Sequence, residues 1–292
     1  MPRVLVSPPH LHSAPSYARL IKRIHTAGLG ILRSLLTDNS ISQVTYLGRR
    51  PLPPWVVLPG GTSIDGASPT HPKLITIEHK DFLTYPPAIQ ETIAQHDACI
   101  WALGISSVGM SEAKYTEITV GYFESFLNVL KEKAAGTDGS PFRVVFVSGQ
   151  GADSKEKSRN LFSRVKVRVH ADSQPLLNSR LGPGVLQGRA ENDLIKAVEE
   201  SGGRLGGSIL RPGYFYPSKA YPQDAPNQRS LTLRIADKLF SAPLSLFYPA
   251  GVISVEQIGQ FALEAARGKW EAKNGRSGIF ENSEMKDLLK SL

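Results

Sequence analysis

The sequence predicts an α/β fold, a doubly wound parallel sheet, and three observations carry that expectation. Short apolar, β-branched runs recur at 43–47 (QVTYL), 74–77 (LITI), 98–103 (ACIWAL), 143–147 (RVVFV) and 207–210 (GSIL). Stretches with helical spacing separate them, and several of the runs are apolar throughout, as strands covered on both faces are. The chain has 292 residues, 41% hydrophobic and 21% charged, enough to bury one large core without a metal or disulfide. Repeated strand–helix units imply right-handed crossovers, and in such sheets ligands lie outside the carboxyl ends of the strands. The residues just after each strand are therefore the ones to examine.

Taken in order, segment 1–25 is broken by Pro2, Pro8, Pro9 and Pro15. It supplies a first strand either from 18–21 or from 3–6, the latter with a Pro-rich insertion before the next helix. Residues 26–217 form the expected core. Segment 26–36 (TAGLGILRSLL) opens a helix with glycine at its start, 86–96 is helical, and 112–133 places Tyr115, Ile118, Tyr122, Phe126 and Val129 on one broad face. A helix over 188–200 precedes the strand 207–210. Residues 218–292 are expected to form a small C-terminal region capping the strand ends and shaping a substrate cleft. Within it, 218–250 is Pro-rich and aromatic with one helix at 230–240. At 254–267 a clean amphipathic helix begins with Ser254 as N-cap and Gln257 at capping-box spacing.

Composition narrows the function classes. A formal charge of +8 and pI near 9.5 suit an anionic ligand such as a dinucleotide phosphate, or loose contact with membranes. The Lys and Arg residues are scattered, with no nucleic-acid reading motif, so nucleic acid is not an expected partner and a solvated surface accounts for the charge. Cys99, the single cysteine, lies in an apolar run and reads as a buried reduced thiol. The histidines form no cluster at ligand spacing, so no metal is expected. No apolar run is long enough to cross a bilayer, and the N-terminus lacks a signal-peptide core. The expected location is cytoplasmic, with mitochondrial association as the alternative.

Gly28 and Gly30 resemble the second half of a dinucleotide fingerprint, where glycines let backbone approach a pyrophosphate and the helix N-terminus offers free N–H groups. Small residues there also serve close helix packing. Where an acidic residue would bind the ribose hydroxyls of NAD, the chain has Gly48, followed by Arg49 and Arg50. Guanidinium groups suit a ribose 2′-phosphate, which favours NADP over NAD; a solvated arginine pair is the alternative.

Together with Lys80-Asp81-Phe82, 98–104, 144–153 (VVFVSGQGAD), 188–192 (GRAEN), 210–213 (LRPG) and 280–282 (FEN), these stretches carry a resemblance. The chain resembles the atypical short-chain dehydrogenases/reductases related to Tat-interacting protein. These lie within the wider NAD(P)-binding, Rossmann-like group that includes nucleoside-diphosphate-sugar epimerases. The resemblance spans most of the chain after Gly28. It implies that Asp81 and Phe82 lie beside the adenine, and that Ala102, Leu103 and Gly104 line the ribose and nicotinamide. Ser148 would be the active-site serine, and Pro212 and Gly213 would pass near the nicotinamide. The family's Tyr-x-x-x-Lys pair falls on Phe162 and Lys166, with Lys166 implied to hold the cofactor.

Three departures matter. Phe162 cannot shuttle a proton, the task of the family's tyrosine. Tyr115, Tyr122, Tyr214 and Tyr216 are available to substitute, with packing the expected role of each. If Gly28 is the third glycine of the fingerprint, Lys22 and His25 take the places of the first two. Segment 167–187 interrupts what would otherwise be one helix and is expected to loop out beside the cleft, its ends being compatible with a translated intron. The functional expectation is an NADP-preferring oxidoreductase acting on a small carbonyl or alcohol, with Ser148 positioning the oxygen. The alternatives are a catalytically silent NAD(P)-binding regulator of a protein partner, or an isoform impaired in cofactor binding.

Overall fold

The computed structural model describes residues 3–7, 26–103, 111–133, 140–150, 152, 183–271 and 277–292. Seven parallel strands form one sheet: β1 (Arg3–Ser7), β2 (Gln43–Gly48), β3 (Leu74–Glu78), β4 (Ala98–Trp101), β5 (Phe142–Val147), β6 (Leu205–Arg211) and β7 (Ser277–Glu281). Their spatial order is β3-β2-β1-β4-β5-β6-β7. The chain winds outward from β1 through β2 to β3, then restarts at β4 and winds the other way. The order reverses between β1 and β4, which is where a doubly wound sheet opens a ligand crevice.

The helices are α1 (Thr26–Thr37), α2 (Pro87–Ala94), α3 (Glu112–Thr116), α4 (Tyr122–Lys133), α5 (Pro183–Glu200), α6 (Asp224–Gln228), α7 (Leu231–Phe247), α8 (Val255–Ala266) and α9 (Asn282–Leu289). A π-helical turn, Glu117–Gly121, joins α3 to α4. Alternate strand residues feed two cores, as a sheet covered on both faces requires. Val4, Val6, Ile100 and Val145 pack under α1 and α8, while Leu5, Cys99, Trp101 and Phe146 pack under α4 and α5. Burial pushes the Cys99 thiol well up, so it stays protonated.

Several expectations change at the element level. The first strand is 3–7, in register with β2 at Val4↔Val44 and with β4 at Val4↔Ala98; 18–21 lies outside the described residues. The helix expected from Gly188 begins at Pro183, so the last residues of 167–187 are helical and the Leu186 side chain is buried against Tyr115 and Val120. Of the stretch 218–292, α8 packs across α1 and β7 pairs with β6, so both belong to the sheet and its layers. The helix expected at 230–240 continues to Phe247 with Pro243 inside it.

The crossing of α1 and α8 is unusually close. A Cβ on Gly30 would sit 2.7 Å from the Val255 carbonyl oxygen, and one on Gly259 would sit 2.7 Å from the Gly30 carbonyl and 2.2 Å from Ser34 Oγ. Neither position has room for a side chain. Ser254 caps α8 as expected, its hydroxyl accepting from the Gln257 N–H while the Gln257 side chain accepts from the Ser254 N–H.

Candidate active site

The strand tips lie along one edge of the sheet, as parallel strands require. Gly48 and Arg49 leave β2, Asp81 follows β3, Ala102 and Leu103 follow β4, Ser148 follows β5, and Pro212 and Gly213 follow β6. Gly104 and Lys166, and with them Phe162, lie outside the described residues, as do Lys22 and His25.

At the β2 tip the glycine has a steric cause. A Cβ on Gly48 would lie 2.6 Å from Cε1 of the buried Tyr46 ring, so no acidic side chain fits there without moving Tyr46. Arg49 is half-buried and its charge reaches Asp81 and Tyr122, while Arg50 is exposed. Asp81 accepts the Leu83 N–H at 3.0 Å and the Thr84 hydroxyl at 2.9 Å, and these bonds hold its pKa below the usual carboxylate value. Phe82 is fully buried and meets His79, Tyr85, Trp101 and Tyr122 ring to ring, so its side chain serves the core.

Gly28 is buried in the first turn of α1, where a Cβ would make ordinary 3.8 Å contact with Ala102 Cβ. The helix start therefore packs on the tip of β4, beside the reversal point. Gly30 faces α8, and that contact accounts for its lack of a side chain.

The most connected group is one the sequence reading did not assign. Glu191, on α5 and fully buried, accepts the Ser148 hydroxyl at 2.6 Å and the Arg211 Nε–H at 3.0 Å through Oε1, and a further Arg211 N–H through Oε2. Arg211 reaches on to Glu281 at 2.9 Å. This chain links the tips of β5, β6 and β7 to α5. The hydrogen bonds from the Arg211 guanidinium to Glu191 hold its pKa up. Ser148 thus has its proton committed to a carboxylate, which leaves its oxygen free to accept a bond.

Gly213 is fixed just beyond. Its N–H donates to Asn282 Oδ1 at 2.7 Å, and a Cβ there would lie 2.2 Å from the Gly251 carbonyl. Asn282 is buried and also donates to the Ala250 carbonyl at 2.6 Å. The FEN triplet therefore ties the β6 exit to the 3₁₀ turn Pro249–Gly251.

Of the candidate replacement tyrosines, Tyr214 lies nearest the β6 tip. Its hydroxyl donates to Asp237 at 2.6 Å, and burial with that bond pushes its pKa up to about 12. Burial and Glu117 push Tyr122 up to about 12, and burial raises Tyr115 and Tyr216. None is tuned toward the phenolate that proton abstraction near neutral pH needs.

A second buried pair anchors the segment after β6. Arg33 on α1 holds Asp224 with two hydrogen bonds, 2.5 and 3.0 Å, donates Nε–H to the Val57 carbonyl at 3.0 Å, and stacks its guanidinium 3.5 Å over the Tyr221 ring. An arginine among apolar residues on the buried side of α1 was the one signal in the sequence. Its partner lies 191 residues away, beyond the reach of pattern reading.

No family profile matches the chain, and no curated protein matches it in sequence. Solved structures do. It is similar to a nucleoside-diphosphate-sugar epimerase from Agrobacterium tumefaciens, at 15% identity over 99% of this chain and 78% of the other, TM-score 0.54. It is also similar to a UDP-N-acetylglucosamine 4-epimerase from Methanobrevibacter ruminantium M1, at 15% identity over 96% and 75%, TM-score 0.52. A third is the dTDP-glucose 4,6-dehydratase of Streptomyces venezuelae, solved with NAD bound, at 17% identity over 99% and 80%, TM-score 0.51. At these identities the likeness is one of architecture, and the sheet order together with these neighbours identifies the fold as Rossmann-like.

Proposed function

We propose that this chain binds a nicotinamide dinucleotide over the reversal point between β1 and β4. In this reading it is an oxidoreductase-like protein of the short-chain dehydrogenase/reductase type that prefers NADP and acts on a small carbonyl or alcohol. The observation that carries the reading is the sheet itself: order β3-β2-β1-β4-β5-β6-β7, all parallel, with α1 starting against the tip of β4. The residues fit the group. Arg49, beside Gly48, which offers the ribose no carboxylate, would hold the ribose 2′-phosphate, with Arg50 in support. Asp81 would meet the adenine edge, and Ala102 and Leu103 would underlie the ribose. Pro212 and Gly213 would border the nicotinamide. Lys166 would hold the ribose, as the resemblance implies. The cofactor would supply hydride chemistry. Ser148 would accept a hydrogen bond from a substrate hydroxyl while Glu191 keeps its proton turned away.

One observation favours a second reading, a catalytically silent NAD(P)-binding regulator. The Ser148 proton is bonded to Glu191, and with Phe162 in the tyrosine's place, as the resemblance implies, neither residue would present a proton to a carbonyl oxygen. Thermal-shift titration of the full chain with NADPH and NADH tests both. Saturation at 100 times the dissociation constant raises stability by about 2.7 kcal/mol. NADPH is expected to stabilise more than NADH, and Arg49→Ala to remove the difference. Stabilisation without turnover of any carbonyl tested supports the silent binder. No stabilisation by either nucleotide refutes both readings.

A further inference from the structure

The helix α7 presents its apolar side outward. Leu231, Ile235, Leu239, Leu246, Phe247 and Tyr248 are 67, 51, 63, 74, 82 and 46% exposed. At 3.6 residues per turn, Leu231, Ile235, Leu239 and Leu246 share an arc of about 80°, the width of a continuous stripe. Isolated exposed leucines need no explanation, but an apolar stripe along a whole helix, ending in two aromatics, does.

The charges on α7 are sorted around this stripe. Its one carboxylate, Asp237, is turned away from the stripe and bonded to Tyr214, with Arg229 3.7 Å away. Its two cations, Arg234 and Lys238, lie along one border, and among the described residues no carboxylate forms an ion pair with either. Inward acid, outward leucines and bordering bases form the pattern of a helix that lies in the plane of an anionic interface. There the leucines and Phe247 enter the acyl boundary and the bases meet the headgroups. No described helix is long and apolar enough to cross a membrane, and α7 carries charges that would oppose crossing. A second copy of the chain fits less well. Antiparallel pairing of this 17-residue helix about its midpoint, Leu239, would set Lys238 opposite position 240 of the second copy and so bring the two Lys238 charges within one helical turn of each other.

We infer that α7 docks this protein in-plane on the surface of an anionic phospholipid bilayer. The inference stands apart from cofactor binding, since no residue of the stripe belongs to the strand tips. Because α7 follows the β6 exit, docking would bring the cleft close to the lipid surface.

Vesicle co-sedimentation of the full chain tests the inference, with phosphatidylcholine alone against a phosphatidylcholine–phosphatidylserine mixture. The chain is expected to bind the anionic vesicles and to bind neutral ones several-fold less. Arg234→Glu and Lys238→Glu should each weaken binding about fivefold or more, at about 1 kcal/mol per basic group near such a surface. A Leu239→Ser/Leu246→Ser variant should lose binding with its thermal unfolding unchanged, because both side chains are exposed. In Phe247→Trp, emission should shift to the blue with anionic vesicles only. The inference is overturned if the chain ignores anionic vesicles or if these variants bind undiminished. A dimer in solution that Leu239→Ser splits would also overturn it, assigning the stripe to a second copy.

Discussion

Replacing Glu191 by glutamine tests the joint between α5 and the strand tips. The carboxylate is fully buried and Arg211 is 14% exposed, so the pair is largely desolvated. Removing one partner of such a pair costs about 3–5 kcal/mol, because the other charge is left uncompensated. Two features reduce that here. Arg211 keeps Glu281 at 2.9 Å, a partner 49% exposed and worth about 1 kcal/mol at most. The glutamine carbonyl can also still accept from Ser148. The expected loss is about 2–4 kcal/mol, read as a lower midpoint in urea unfolding with the slope unchanged. Comparison with Arg211→Met and the double variant isolates the pair, and a coupling energy of about 1.5–3 kcal/mol is expected because each single change removes the same bonds. A loss below about 1 kcal/mol, or a double variant equal to the sum of the singles, would refute the reasoning.

Asp224→Ala should cost about 3–5 kcal/mol by stranding the buried Arg33, whereas Arg33→Met/Asp224→Leu should recover most of that; equal losses in urea unfolding would contradict the clamp. Gly259→Ala should destabilise by about 1–3 kcal/mol, since its new methyl group meets the Gly30 carbonyl and Ser34; an unchanged melting temperature would show that α8 can back away from α1. His96 carries a pH dependence. Burial lowers its pKa below 6.5, and the neutral ring donates from Nδ1 to the Thr92 carbonyl at 2.6 Å and accepts the Thr45 hydroxyl on Nε2 at 2.8 Å. The unfolded imidazole binds its proton more tightly, so this contribution is complete above pH 6.5 and is lost as pH falls below it. Unfolding free energies across that window should flatten in His96→Gln; an unchanged slope would assign the dependence elsewhere.

Much of the architecture was legible because buried parallel strands write themselves as unbroken apolar runs, as β4 and β5 do, and because a capping box such as Ser254 with Gln257 is local. β1 was ambiguous, since it lies far in sequence from α1 and a second apolar stretch at 18–21 competed with it. β7 was missed because GIFE is too short and too polar to stand out. The continuation of α7 past Pro243 ran against the rule that proline ends helices by removing an N–H donor. Gly30 serves the contact with α8, whereas at the strand tips Ser148, Arg49 and Gly28 were singled out by position and type. The contacts that orient them were not, because Glu191 finds Ser148 at a separation of 43 residues and Arg211 at 20, in directions only the fold defines. The stripe on α7 is readable as a period, but its outward orientation comes from the inward bonds of Asp237.

The central claim is that one nucleotide crevice lies over the strand tips. Hydrogen exchange with and without saturating NADPH tests it most directly. Slowed exchange should concentrate at residues 26–28, 48–50, 81–83, 102–103, 148–150 and 212–213. Protection confined to the opposite end of the sheet, around 38–42 and 95–97, or no change at the tips, would contradict it.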